Sequence, residues 1–176
     1  MKLKNSSIIA IILIVFGVTA RLLPHPANIA PIGAIALFAG LYLPRRYAIL
    51  IPFAAMILSD AVIGFYDWKI LLTVYASFFV SVYIGQYVQK RKNLIMIVGG
   101  TVFASIIFYL TTNGAVWAFG DMYAHTFSGL IQSYTMALPF FRHSVIGDLF
   151  FVSILAGSME LLSVYSRRVQ WSKQSV

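Results

Sequence analysis

Long apolar runs alternate with short polar breaks along this chain of 176 residues, and most of the breaks collect cations. Six runs can be drawn, over 6–23, 29–43, 48–65, 70–88, 94–110 and 145–165. A hydrocarbon core of about 30 Å takes roughly 20 helical residues, so runs of this kind predict membrane-crossing helices. The second is the shortest, about 22 Å at helical rise, and must be extended by neighbouring turns or sit in a thin region. Pro31 stands where a first helical turn tolerates it, Pro44 stops the same helix, and Pro52 is expected to kink the third.

The stretch 111–144 is the longest connection. Its middle, 122–141, is apolar enough to tempt a seventh span, but Gly114, Gly120, Gly129 and Pro139 are expected to break any continuous helix. A seventh crossing would also move Arg167, Arg168 and Lys173 to the other side of the membrane. The stretch therefore reads as an outer cap or re-entrant segment.

Charge fixes the expected sidedness. Ten of the thirteen Lys and Arg residues form four clusters, Lys2/Lys4, Arg45/Arg46, Lys90/Arg91/Lys92 and Arg167/Arg168/Lys173, with two spans between successive clusters. Positive residues are retained on the cytoplasmic side during insertion, which places both termini in the cytoplasm. Arg21, Lys69 and Arg142 fall in the intervening outer turns. The first 20 residues imitate a secretory signal but continue through Leu22 and Leu23, and they read as the first span. Tyr42, Tyr47, Tyr87 and Tyr165 would mark the inner boundary, and Tyr66, Trp68 and Tyr109 the outer one.

Composition agrees: 60% apolar residues, 10% charged residues and a mean hydropathy of +0.86 leave too little polar surface for a soluble globule. The net charge of +8 is dispersed at span ends rather than gathered on one face, which argues against nucleic acid. With no cysteine, disulfides and thiolate metal sites are excluded.

Small residues recur at four-residue spacing in Ile32/Ala36/Gly40, Ser77/Ser81/Gly85, Gly100/Ala104 and Ser153/Gly157, as close helix packing in lipid requires. Ionisable groups within spans are costly, about 2.5 to 3.5 kcal/mol each on the lenient insertion scale, so their placement is informative. Arg21, Asp60 and Asp148 gather toward the outer end, with His25, Asn28, Asn113, Arg142 and His143 in the adjoining turns. A chamber open to the outside would use them, and a structural ion pair from Arg21 to Asp60 or Asp148 is the plainer reading. Glu160, toward the inner end, is expected to pair with Arg167 or Arg168. Aromatic residues of the outer connections, among them Trp117 and Tyr123, fit the wall of a small-molecule site or ordinary interfacial anchoring. No HxxxH, HExxH, GxSxG or GxxxxGK[ST] string occurs, so metal, serine-nucleophile and nucleotide chemistry find no support.

In layout the chain resembles the substrate-binding S component of energy-coupling-factor vitamin transporters, with a loose likeness around Arg21-Leu-Leu-Pro, the segment 31–40 and Ser59-Asp60. The strings Arg-Leu-Leu-Pro-His-Pro and Ala-Leu-Pro-Phe-Phe-Arg-His-Ser are similar to an uncharacterised bacterial membrane family. The S-component resemblance implies vitamin binding near the outer face under the first, third and fifth loops. It also implies a separate transmembrane coupling subunit and ATPases as partners. S components commonly dock through alanines four apart on the first helix, whereas here Ala10 is followed by Ile14.

The expectation is thus an all-α, single-domain integral membrane bundle of six transmembrane helices over 1–176, with cytoplasmic termini and a long outer loop between helices 5 and 6. It would lie in the bacterial inner membrane, bind no nucleic acid, use no cofactor or metal and perform no catalysis. Its task would be uptake of a small organic micronutrient, through Arg21, Asn28, Asp60, Asn113, Trp117, Tyr123, His143 and Asp148. The alternatives are a non-transporting scaffold of cell-envelope assembly, and a membrane enzyme using Asp60, Asp148 and His143 in acid-base chemistry.

Overall fold

The computed structural model describes residues 6–24 and 29–174, with side chains through residue 165. Lys2, Lys4, His25 and Asn28 lie outside the described residues, as do the side chains of Arg167, Arg168 and Lys173. Six helices follow in order: α1 Ser6–Leu22, α2 Ile32–Tyr42, α3 Arg45–Ile63, α4 Trp68–Gln89, α5 Leu94–Phe119 and α6 Phe127–Gln174. The described residues contain no strand. Helices α3 to α6 are long and apolar enough to span a membrane, while α1 and α2 are shorter.

Helix α2 is the axle of the bundle, touching all five other helices. Its eleven residues carry no charge and are apolar all round, the pattern of a helix enclosed on every side. Ile32 and the whole run from Ala34 to Leu41 are buried. At about 16 Å it is shorter than a 30 Å core, so a crossing over 29–43 takes the flanking residues as well as the helix. Pro31 precedes the first turn, and after Tyr42 the chain turns extended at Leu43 and restarts at Pro44 as α3.

Close backbone approach holds α2 against α4. A Cβ on Gly40 would overlap the Val82 carbonyl oxygen, and one on Gly85 the Leu37 carbonyl oxygen. Ser77 and Ser81 are buried on the same α4 face, so the expected packing stripe is real there. Gly100 likewise admits Val88, whose Cγ2 lies 2.8 Å from where a Cβ would stand. The stripe expected in α6 is corrected: Ser153 and Gly157 are exposed, and the packed positions are Val152, Ala156, Met159 and Ser163.

The expected long outer loop is also corrected. Helix α5 continues to Phe119 and α6 begins at Phe127, so only residues 120–126 connect them. Of the four expected helix breakers, Gly120 alone ends a helix. Gly114 lies inside α5, and the Tyr134 hydroxyl stands 3.1 Å from where its Cβ would be. Side chains bridge the two helices to backbone carbonyls: Ser133 Oγ donates to Asn113 O at 2.9 Å, Tyr134 Oη to Leu110 O at 2.9 Å, and Tyr109 Oη to Tyr134 O at 2.7 Å. Tertiary hydrogen bonds of this kind outweigh the weak local preference of a single glycine.

Pro139 lies inside α6, where it removes one helical hydrogen bond. Contacts on either side show what it permits. Asn113 and Ser105 of α5 meet Ser133 and Asp148 of α6, so eight residues of one helix match fifteen of the other. That is about 12 Å of rise against about 22 Å. Helix α6 must bend or cross α5 steeply over this stretch, and proline is a usual cause of such a bend.

Candidate functional site

Beside this stretch of α5 and α6, a cavity of about 290 Å3 opens around the N-terminal end of α2. Ile32 and Gly33 of α2, Met56 of α3, Val74, Phe78 and Ser81 of α4, Ala104 and Phe108 of α5, and Ser144 and Asp148 of α6 line it. Arg21, Ala30 and Tyr66 complete the wall. Helical spacing explains much of the set, since residues three and four apart share a face. Phe78 and Ser81, Ala104 and Phe108, and Ser144 and Asp148 are such pairs.

Arg21, at the end of α1, is held by α3. Its Nη2 lies 2.8 Å from Asp60 Oδ1, and its Nη1 donates to Ser59 Oγ at 2.7 Å and contacts Met56 Sδ at 2.9 Å. Asp60 is 1% exposed, and its second oxygen accepts from Tyr75 Oη at 2.9 Å. The Arg21–Asp60 contact is short but poorly aligned for a hydrogen bond, so its attraction is chiefly Coulombic. Ser59 Oγ in turn donates a hydrogen bond to the Ala55 carbonyl at 2.7 Å. The cluster joins α1, α3 and α4, and it answers the open question of pairing in favour of Asp60.

Asp148 has a different environment. Its Oδ2 accepts from Ser105 Oγ at 2.8 Å, and the carboxylate also accepts the Ala34 backbone N–H in the first turn of α2. It thereby caps α2 from another helix, supplying the acceptor that Pro31 cannot. Gly33 makes this approach possible, because a Cβ there would lie 2.7 Å from Asp148 Oδ1. Gly33→Ala is accordingly expected to displace the carboxylate and cost about 1–3 kcal/mol. Thermal unfolding in detergent reads the loss, and an unchanged midpoint would refute the cap. Tyr66, in the α3–α4 turn, has its phenol raised above the ordinary range by burial, with the Asp60 charge adding to the effect and Arg21 opposing it.

Of the eight residues expected to form the chamber, Arg21 and Asp148 line the cavity and Asp60 stands directly behind Arg21. Asn113 lines an adjoining compartment that shares Phe108 and Ser144 with the first, and its Nδ2 donates to Tyr109 O of its own helix at 2.8 Å. Trp117 is spent at the α5–α6 tip, where Nε1 donates to Ala124 O at 3.0 Å. Tyr123 belongs to the same tip, and His143 is exposed on α6; neither lines either compartment. Asn28 lies outside the described residues. Gly33, Phe78, Ser81, Ser105, Phe108 and Ser144 were not singled out as site residues from sequence. The three-residue spacings Phe78/Ser81 and Ser105/Phe108 and the four-residue spacing Ser144/Asp148 were the available signal, and Gly33 had none.

The opposite end of α2 is tied to α6 separately. Lys92 Nζ lies 2.5 Å from Glu160 Oε1 and 4.4 Å from the Tyr42 ring centre, while Tyr42 Oη donates to the same Glu160 oxygen at 2.9 Å. A cation there also suits the negative end of α2. Lys92 is thus a Glu160 partner that the expected pairing with Arg167 or Arg168 did not include.

Four helices long and apolar enough to cross a membrane, packed around a cavity with charged groups in its wall, mark the chain as a helical membrane protein. It belongs to DUF6580, a family of unknown function whose pattern matches residues 1–171. No curated protein and no solved structure matches it.

Proposed function

We propose that the protein is a membrane substrate-binding and uptake protein for a small organic micronutrient, a vitamin or a precursor of one. In this reading the bundle sits in the bacterial cytoplasmic membrane with both termini inside, and the cavity end of α2 faces outward. A separate transmembrane subunit with ATPases supplies the energy, as the resemblance to energy-coupling-factor S components implies. The cavity carries the proposal: phenyl rings and aliphatic groups wall it, and a few polar groups from α1 and α6 converge on it. That is the usual make-up of a small-molecule site, and ionisable groups at membrane depth are retained chiefly where they act.

Ser144→Phe gives the cleanest test. Ser144 lines both compartments and its hydroxyl donates only along its own helix, to Phe140 O at 3.1 Å, so a ring placed there fills the space without cutting an interhelical bond. Mass spectrometry of small molecules carried through gentle purification is expected to find one compound class on the wild-type protein and none on Ser144→Phe. Recovery of the same molecules from both, or of none from the wild type, would refute uptake through this cavity. A protein that instead co-purifies stably with envelope proteins, independently of any small molecule, would be a scaffold.

A further inference from the structure

Counting charges around the cavity gives an imbalance. Among the described residues Arg21 is the one cation in the wall, and Asp60 already neutralises it at 2.8 Å. Asp148 adds a second carboxylate, and among the described residues it has no basic partner. Arg142 and His143, the nearest ionisable groups in sequence, are exposed and do not line the cavity. The α2 amide that Asp148 accepts supplies a partial positive charge only. With Asp148 ionised, the described charged groups around the cavity therefore sum to one net negative charge, in a setting where uncompensated charge is costly.

We infer that the ligand carries a positively charged organic nitrogen and sets it against Asp148. This rests on the proposed binding role of the same cavity and specifies its substrate class. The walls fit that class. Phe78, Phe108 and Tyr66 present aromatic rings, whose faces attract organic cations. Hard metal ions take six or more oxygen ligands, and a wall dominated by rings and aliphatic groups does not supply them. An anionic ligand would meet Asp148 directly, and it would have to compete with Asp60 for Arg21.

Three probes of similar size separate the possibilities: benzyltrimethylammonium, whose charge is fixed, neutral benzyl alcohol and anionic phenylacetate. Titrated against the purified full chain in detergent, with the unfolding midpoint as readout, benzyltrimethylammonium is expected to bind saturably. It should bind at least about tenfold more tightly than either of the others, the size of one desolvated cation contact. Asp148→Asn, which keeps an acceptor for the Ala34 amide, is expected to erase that preference, and Ser144→Phe to abolish binding. Tighter binding of benzyl alcohol or phenylacetate that Ser144→Phe removes would overturn the charge assignment and leave the cavity reading intact. Equal stabilisation by sodium chloride at the same concentration would assign an inorganic cation and overturn the organic one. Binding of the ammonium unchanged in both variants would place it elsewhere and overturn the inference. Failure of all three probes to bind would overturn it together with the cavity reading.

Discussion

Asp60→Ala is expected to lower the unfolding free energy by about 3–5 kcal/mol, the range for removing one partner of a buried ion pair. The loss would come less from the missing attraction than from what is left behind. Arg21 would keep its charge beside Ser59 and Met56 with no carboxylate to balance it, and the Tyr75 hydroxyl would lose its acceptor. Because Arg21, Asp60 and Tyr75 belong to α1, α3 and α4, one substitution loosens three helices at the rim of the cavity. Reversible unfolding in mixed detergent micelles measures the effect. The double replacement Arg21→Met with Asp60→Leu is the decisive companion. An apolar pair of similar volume leaves no orphaned charge, so it is expected to recover much of the stability while abolishing ligand retention. A single substitution costing less than about 1 kcal/mol would show that the pair is effectively solvated.

Gly40→Ala and Gly85→Ala are each expected to cost about 3 kcal/mol or more, at or beyond the upper end of the overpacking range. Overpacking is usually relieved by side chains changing rotamer. Here each new methyl would meet the backbone carbonyl of the facing helix, Val82 for Gly40 and Leu37 for Gly85, and backbone cannot rotate out of the way. The helices must separate, and α2 touches every other helix, so the disturbance spreads. Gly157→Ala is the control, because its Cβ would enter open space. The same unfolding assay is expected to show it unchanged or slightly stabilised. Gly40→Ala with wild-type stability would mean that α2 and α4 do not cross as described.

Much of the helical layout was legible because run length and proline position are local properties. Asp67 and Asn93 stand at the starts of α4 and α5 and accept backbone N–H groups from Lys69, Ile70 and Met96, which sharpens boundaries drawn from hydropathy. The region 111–144 was misjudged for the converse reason. Gly114, Gly129 and Pro139 are weak helix residues taken singly, but Tyr109, Ser133 and Tyr134 bridge the two helices there. Partners twenty or more residues apart leave no mark in a local window. The candidate site divides along the same line. Arg21, Asp60 and Asp148 stood out because ionisable groups are rare in apolar spans, whereas Phe78, Phe108 and Gly33 look like any core residue until the helices are brought together.

From the sequence alone came an all-helical chain built for a membrane, with scarce charges that had to be partnered inside it, since apolar length and the cost of buried charge depend on each segment by itself. Tertiary structure decided that α2 is an enclosed half-length helix, that Arg21 pairs with Asp60, and that Asp148 caps α2. Those outcomes depend on which faces meet, and the meeting is set by two glycines that let α2 and α4 touch and by the way α6 bends or crosses over α5 beside Pro139.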